Sequence, residues 1–86
     1  MFYVYVLKSS KSESVYIGST GNLKIRFDQH NNGNKSDAYT FRNRPWKLAY
    51  YEAYTNKLDA MEREKKLKQH GSAKRLLFKR IHNSLG

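Results

Sequence analysis

Residues 2–7 are apolar at every position (Phe-Tyr-Val-Tyr-Val-Leu). A run without alternation predicts an inner strand covered on both faces. A shorter apolar run follows at 15–18, after Lys8-Ser9-Ser10-Lys11-Ser12-Glu13-Ser14, which contains no apolar residue. Two such runs joined by a polar, serine-rich connection predict a β-hairpin. Leu23 and Phe27 then recur at helical spacing, predicting a helix over about 22–31 that buries both. The stretch 31–37 is rich in turn formers, and residues 40–45 lack periodicity, so a long loop is expected to reach Pro45. Residues 46–54 read as a third strand. Strict alternation puts Trp46, Leu48 and Tyr50 on one face and Ala49, Tyr51 and Ala53 on the other. Asn56 caps a further helix, with Asp59 in its first turn, that runs to about Gln69. Gly71 stops it, and Ser72 caps a basic amphipathic helix over 73–82. Residues 84–86 read as a frayed end. No repeat or second domain is evident, and 86 residues amount to one small domain, 1–86.

Composition narrows the class. There is no cysteine, so neither a disulfide framework nor a thiolate metal site is available. No apolar run approaches membrane-spanning length and the N-terminus lacks a signal peptide's order, so a cytoplasmic protein with no membrane partner is expected. Seventeen Lys and Arg against seven Asp and Glu give a formal charge of +10. Such a surplus attracts phosphate backbones without regard to sequence, although a solvated basic face or a ribosome-bound protein would show it too.

Several residues carry candidate chemistry. The hairpin brings Tyr5 and Tyr16 onto neighbouring strands. Arg26 and His30 lie four residues apart on one helix face. Taken singly, an arginine beside an apolar stripe is ordinarily a snorkelling side chain, and a helical histidine a boundary residue. Glu64 lies among Ala60, Met61 and Leu67, within the apolar stripe of its helix. A carboxylate there needs a partner: Arg26 or Lys68 in an ion pair, or a cation. Gly18 marks either a point where no side chain fits or the close approach of a ligand. Lys35, Arg42 and Arg44 line the long loop, and a DNA contact or plain mobility would each account for them.

Tyr3-Val4-Tyr5, Tyr16-Ile17-Gly18, the eleven-residue spacing of Tyr5 and Tyr16, Arg26 eight residues after Gly18, and His30 four further on resemble the GIY-YIG nuclease superfamily. The resemblance extends through Arg44-Pro45-Trp46 and the helix from Ala60 to Lys68. It is strongest toward small stand-alone members akin to the nuclease domain of the excision-repair protein UvrC. Tyr3 and Val4 stand where the first motif has Gly and Ile.

The resemblance implies an α/β fold: a small three-stranded antiparallel sheet flanked by helices, in the order β-β-α-β-α-α. It also implies metal-dependent hydrolysis of DNA, as an endonuclease or nickase of low or structure-based selectivity, in repair or processing. One Mg²⁺ or Mn²⁺ would sit on Glu64, Arg26 would grip phosphate, Tyr16 would activate water, and Tyr5 and His30 would orient or relay. An asparagine that many members carry after the metal-binding helix is missing from residues 71–75, leaving Lys68 or Lys74 for that phosphate. The alternative is a non-catalytic nucleic-acid-binding module of the same fold. RNA, a partner protein and a homodimer stay open.

Overall fold

The computed structural model describes residues 1–33 and 38–86. The uniformly apolar run becomes the central strand β1 (Phe2–Ser9), flanked by β2 (Val15–Thr20) and β3 (Trp46–Tyr54). The sheet has the order β2-β1-β3 and both pairings are antiparallel. The helices are α1 (Leu23–Asn32), α2 (Ala38–Asn43), α3 (Lys57–Gln69), α4 (Gly71–Arg80) and α5 (His82–Leu85). This is the expected three-stranded α/β architecture with two short helices added.

Each sheet face carries its own core. On one, Val4, Val6 and Ile17 pack with Ala60, Leu67, Leu77 and Ile81 of the C-terminal helices. On the other, Tyr5, Leu7 and Trp46 pack with Tyr16, Leu23, Phe27 and Leu48. This division follows from the period of two along β1.

The third strand departs from strict alternation. Val6 pairs with Tyr50 but Leu7 pairs with Leu48, so Ala49 is an extra residue in β3. The bulge moves Tyr50 to the face of the C-terminal helices, away from Trp46 and Leu48, and returns Tyr51 to the face of Tyr5. An unpaired residue resets the count, which alternation alone cannot register.

Caps fix the helix starts. Asn22 accepts from the Ile25 amide at 3.1 Å and Asn56 from the Leu58 amide at 2.8 Å. Gly33, at φ 79°, ends α1 in the left-handed conformation that a side chain would disfavour. Two expectations fail at α4. It begins at Gly71 with His70 as its cap residue, and Ser72 lies inside it. The C-terminus is helical rather than frayed, because Leu85 packs against the core.

The expected loop is also partly ordered. The helix α2 forms there because neighbours hold it. Trp46 Nε1 donates to the Thr40 carbonyl at 3.0 Å, and the Tyr39 hydroxyl donates to the Val15 carbonyl at 2.8 Å. The serine-rich turn is tied to the same region. Buried Ser9 accepts from the Lys11 and Ser12 amides, each at 3.0 Å, and donates to the Asn43 carbonyl at 2.6 Å.

Candidate active site

Tyr5 and Tyr16 are not direct cross-strand partners. Tyr5 faces Gly18, and Leu7 faces Tyr16, so the tyrosines are diagonal neighbours on one face. Gly18 makes their approach possible. A Cβ there would stand 2.5 Å from the Tyr5 hydroxyl and 2.7 Å from its Cζ. The Tyr5 ring thus lies over the glycine, and the ring centroids of Tyr5 and Tyr16 come within 6.3 Å. Of the two readings of Gly18, the one requiring space for a neighbouring side chain accounts for it; no ligand contact is needed.

The helix α1 lays His30 and Arg26 over this pair. His30 is buried, and its Nε2 shares a 3.0 Å hydrogen bond with the Tyr5 hydroxyl. Its ring lies 4.8 Å from that of Tyr16. Arg26 is half-buried and interacts with the hydroxyls of both tyrosines. Its Nη1 also donates to Gln29 Oε1 at 3.2 Å. Burial pushes the Tyr5 phenol up to about 12, with Arg26 opposing. Tyr5 is therefore a protonated hydrogen-bonding group at neutral pH. Tyr16 is half-buried and more accessible than Tyr5.

Glu64 arrives from α3. Its Oε1 accepts from the Ser19 hydroxyl at 2.6 Å and its Oε2 pairs with Lys68 Nζ at 2.7 Å. Of the sequence-level alternatives, the ion pair with Lys68 forms and the one with Arg26 does not appear among the described residues. Lys68 Nζ also stands 5.8 Å from the centre of the Tyr16 ring. The carboxylate is close enough to act electrostatically on the Tyr5 phenol. Tyr5, Tyr16, Arg26 and His30 are thus gathered from three elements, and Glu64 of α3 lies at the adjoining edge of β2, bonded to Ser19.

No cluster of three His, Cys, Asp or Glu exists among the described residues, so the fold offers no self-sufficient cation cage. A single oxygen-donor carboxylate, Glu64, suits a hard cation such as Mg²⁺ or Mn²⁺. Such ions keep several waters and accept substrate phosphate as a ligand. Glu64 would hold such a cation, and Lys68 occupies its Oε2 in this structure.

The remaining candidates are dispersed. Arg42 is exposed on α2 and its carbonyl accepts from Lys11 Nζ. Arg44 stacks on Phe41, 4.1 Å above the ring. Lys74 stands over Phe78 on α4, at 5.5 Å. Lys35 lies outside the described residues. The sequence reading missed Ser19, which fixes Glu64, and Tyr39, whose ring lies 6.5 Å from Tyr16. Neither position carries a chemical signature; only the pairing of strands and the packing of α2 place them.

Comparison with known proteins shows the family. The sequence profile described as the GIY-YIG catalytic domain matches residues 1–76. A UPF0213 protein of Clostridium perfringens is 46% identical over 69 residues, covering 80% of this chain and 72% of its own length. A UPF0213 protein of Pediococcus pentosaceus is 38% identical, covering 90% of this chain and 79% of its own. One from Streptococcus agalactiae is 37% identical, covering 95% and 91%. With the profile spanning both tyrosine motifs, α1 and α3, the chain belongs to the GIY-YIG catalytic domain family.

Proposed function

We propose that the protein is a metal-dependent DNA endonuclease or nickase, of low or structure-based selectivity, acting in the cytoplasm in DNA repair or processing. The observation that carries this reading is the gathering of a half-buried tyrosine and an arginine around the Tyr5–His30 bond, with Glu64 and Lys68 on the adjoining edge of β2. Hydrolysis forms a bond from water oxygen to phosphorus and breaks the bond to a sugar oxygen. Tyr16, first deprotonated beside the Arg26 guanidinium, takes the proton of the attacking water as the phenolate. His30, packed on Tyr16 and bonded to Tyr5, holds both rings in place and offers a relay for that proton. The planar fork of Arg26 binds the non-bridging oxygens, where negative charge grows. Lys68, released from Glu64, supplies a second cation near the phosphate. A divalent cation held by Glu64 supplies, when bound, positive charge at the phosphate and the leaving oxygen.

A second reading has one observation in its favour. Lys68 already neutralises Glu64 at 2.7 Å, which suits a binding module of this fold that does not cut. One experiment separates the two. Labelled single strands, duplexes, flaps and nicked circles are incubated at low salt with Mg²⁺, Mn²⁺ or EDTA. Metal-dependent products are expected. Arg26→Ala and Glu64→Ala should lower their rate about 100-fold or more while DNA binding persists. A full rate in either variant would overturn the site assignment, and binding without products under all metals would leave the binding module.

A further inference from the structure

A concavity of about 520 Å³ opens on the same sheet face as Tyr5. Tyr3 and Tyr51 form one side, edge to face, with ring centroids 5.9 Å apart. Leu23, Phe27 and Leu48 also line it, together with the exposed Lys24. Tyr3 and Tyr51 belong to neither core cluster. Tyr51 is 53% exposed although it pairs with the central strand opposite Tyr5. The fold therefore exposes the Tyr51 ring and leaves Tyr3 half-buried beside it, outside either core cluster. Among the described residues Lys24 pairs with Asp28, at 3.7 Å and largely in solvent, a weak contact that leaves its charge available.

We propose that this concavity takes an unpaired nucleobase of the DNA strand being cut, stacked on Tyr51, with an adjoining phosphate at Lys24. The surplus of positive charge selects a polyanion, and the aromatic side selects a planar ring. Tyr3 precedes Tyr5 by two residues on the same face, about 7 Å along β1. The helix α1 contributes Leu23 and Phe27 to the concavity and Arg26 to the catalytic cluster, so one strand of DNA can reach both. A base within a duplex has both faces covered by its neighbours and cannot stack here. The substrate class follows: single strands, flaps or frayed ends, in preference to intact duplex. The location of the cut rests on the nuclease reading; the base-binding step does not.

The test uses single-stranded DNA carrying 2-aminopurine, whose fluorescence falls on stacking, at low salt in EDTA so that nothing is cut. The wild-type protein should quench the probe. Tyr51→Ala should abolish the quenching and weaken single-strand binding about 5- to 100-fold, with blunt-duplex binding unchanged. Tyr51→Trp, which keeps the stacking surface, should retain both. Single-strand binding by Tyr51→Ala equal to wild type would overturn the proposal, as would equal losses on single strand and blunt duplex. Quenching lost on Tyr51→Ala but without metal-dependent cleavage by wild type would sink the nuclease reading and leave the base site standing.

Discussion

A methyl group added at Gly18 meets the Tyr5 hydroxyl at 2.5 Å, whereas one added at Gly71 meets nothing within 4 Å. The two glycines should respond oppositely to alanine. Gly18→Ala forces the buried Tyr5 ring off His30 and should lower stability by roughly 1–3 kcal/mol. Gly71→Ala, in the first turn of α4, should raise stability by up to roughly 1 kcal/mol through lower unfolded-chain entropy. Thermal melts of both variants check this. A Gly18→Ala protein as stable as wild type would mean that the sheet yields at β2 and that Tyr5 is not clamped. The sequence marked Gly18 as a position needing a reason. It could not supply the reason, because the obstructing atom belongs to a residue thirteen positions away.

The strand β3 is fastened to α3 by Glu52. Arg63 Nε donates to Glu52 Oε1 at 3.0 Å and Arg63 Nη2 to Oε2 at 3.0 Å. The Tyr50 hydroxyl donates to Oε2 at 2.6 Å, and the Tyr54 hydroxyl donates to Oε1. Burial alone would raise the Glu52 carboxyl, but the hydrogen bonds from Arg63 and the two tyrosines outweigh it and hold it below its ordinary 4.5. A depressed carboxyl stabilises the fold above that ordinary value and loses its contribution as pH falls through the folded value. Glu52→Gln should therefore cost about 1–3 kcal/mol at neutral pH. The gap from wild type should close below about pH 4, as urea melts across pH would show. A gap independent of pH would assign the loss to packing.

Elements with a strong local pattern were readable: the hairpin, β3, and the helices that Asn22 and Asn56 cap. The short helix α2 was not, because six residues complete fewer than two turns and cannot display a period. It exists through Tyr39 and Asn43 bonding to Val15 and Ser9, far along the chain, and through Thr40 bonding to the Trp46 side chain. The candidate site divides the same way. Tyr5, Tyr16, Arg26 and His30 stood out through their spacing taken together with the family resemblance, Arg26 and His30 reading singly as ordinary helix residues. The partner of Glu64 stayed open, because choosing among Arg26, Lys68 and a cation requires the tertiary placement of α3 against β2.

The molecule contains seven tyrosines. Three of them, Tyr5, Tyr50 and Tyr54, are pushed up to about 12, foremost by burial. A phenol kept neutral in the fold but free to ionise near 10 when unfolded favours the fold below pH 10. That contribution is lost as pH rises toward 12. The protein should unfold in alkali in a single transition, with late phenolate absorbance appearing together with loss of circular dichroism. If all seven phenols ionise near pH 10 while the dichroism is intact, these three are not shielded.

Ala49 is the one residue of β3 without a partner on β1, and the positions on either side keep their faces when it is left out of the count. Removal of this single codon would therefore leave Trp46 and Leu48 facing α1 and Tyr50 and Glu52 facing α3. What it would abolish is the local bend that spaces Leu48 from Tyr51. In evolutionary terms, the width of the concavity between those two side chains can be retuned by a one-residue insertion or deletion, with no change in topology.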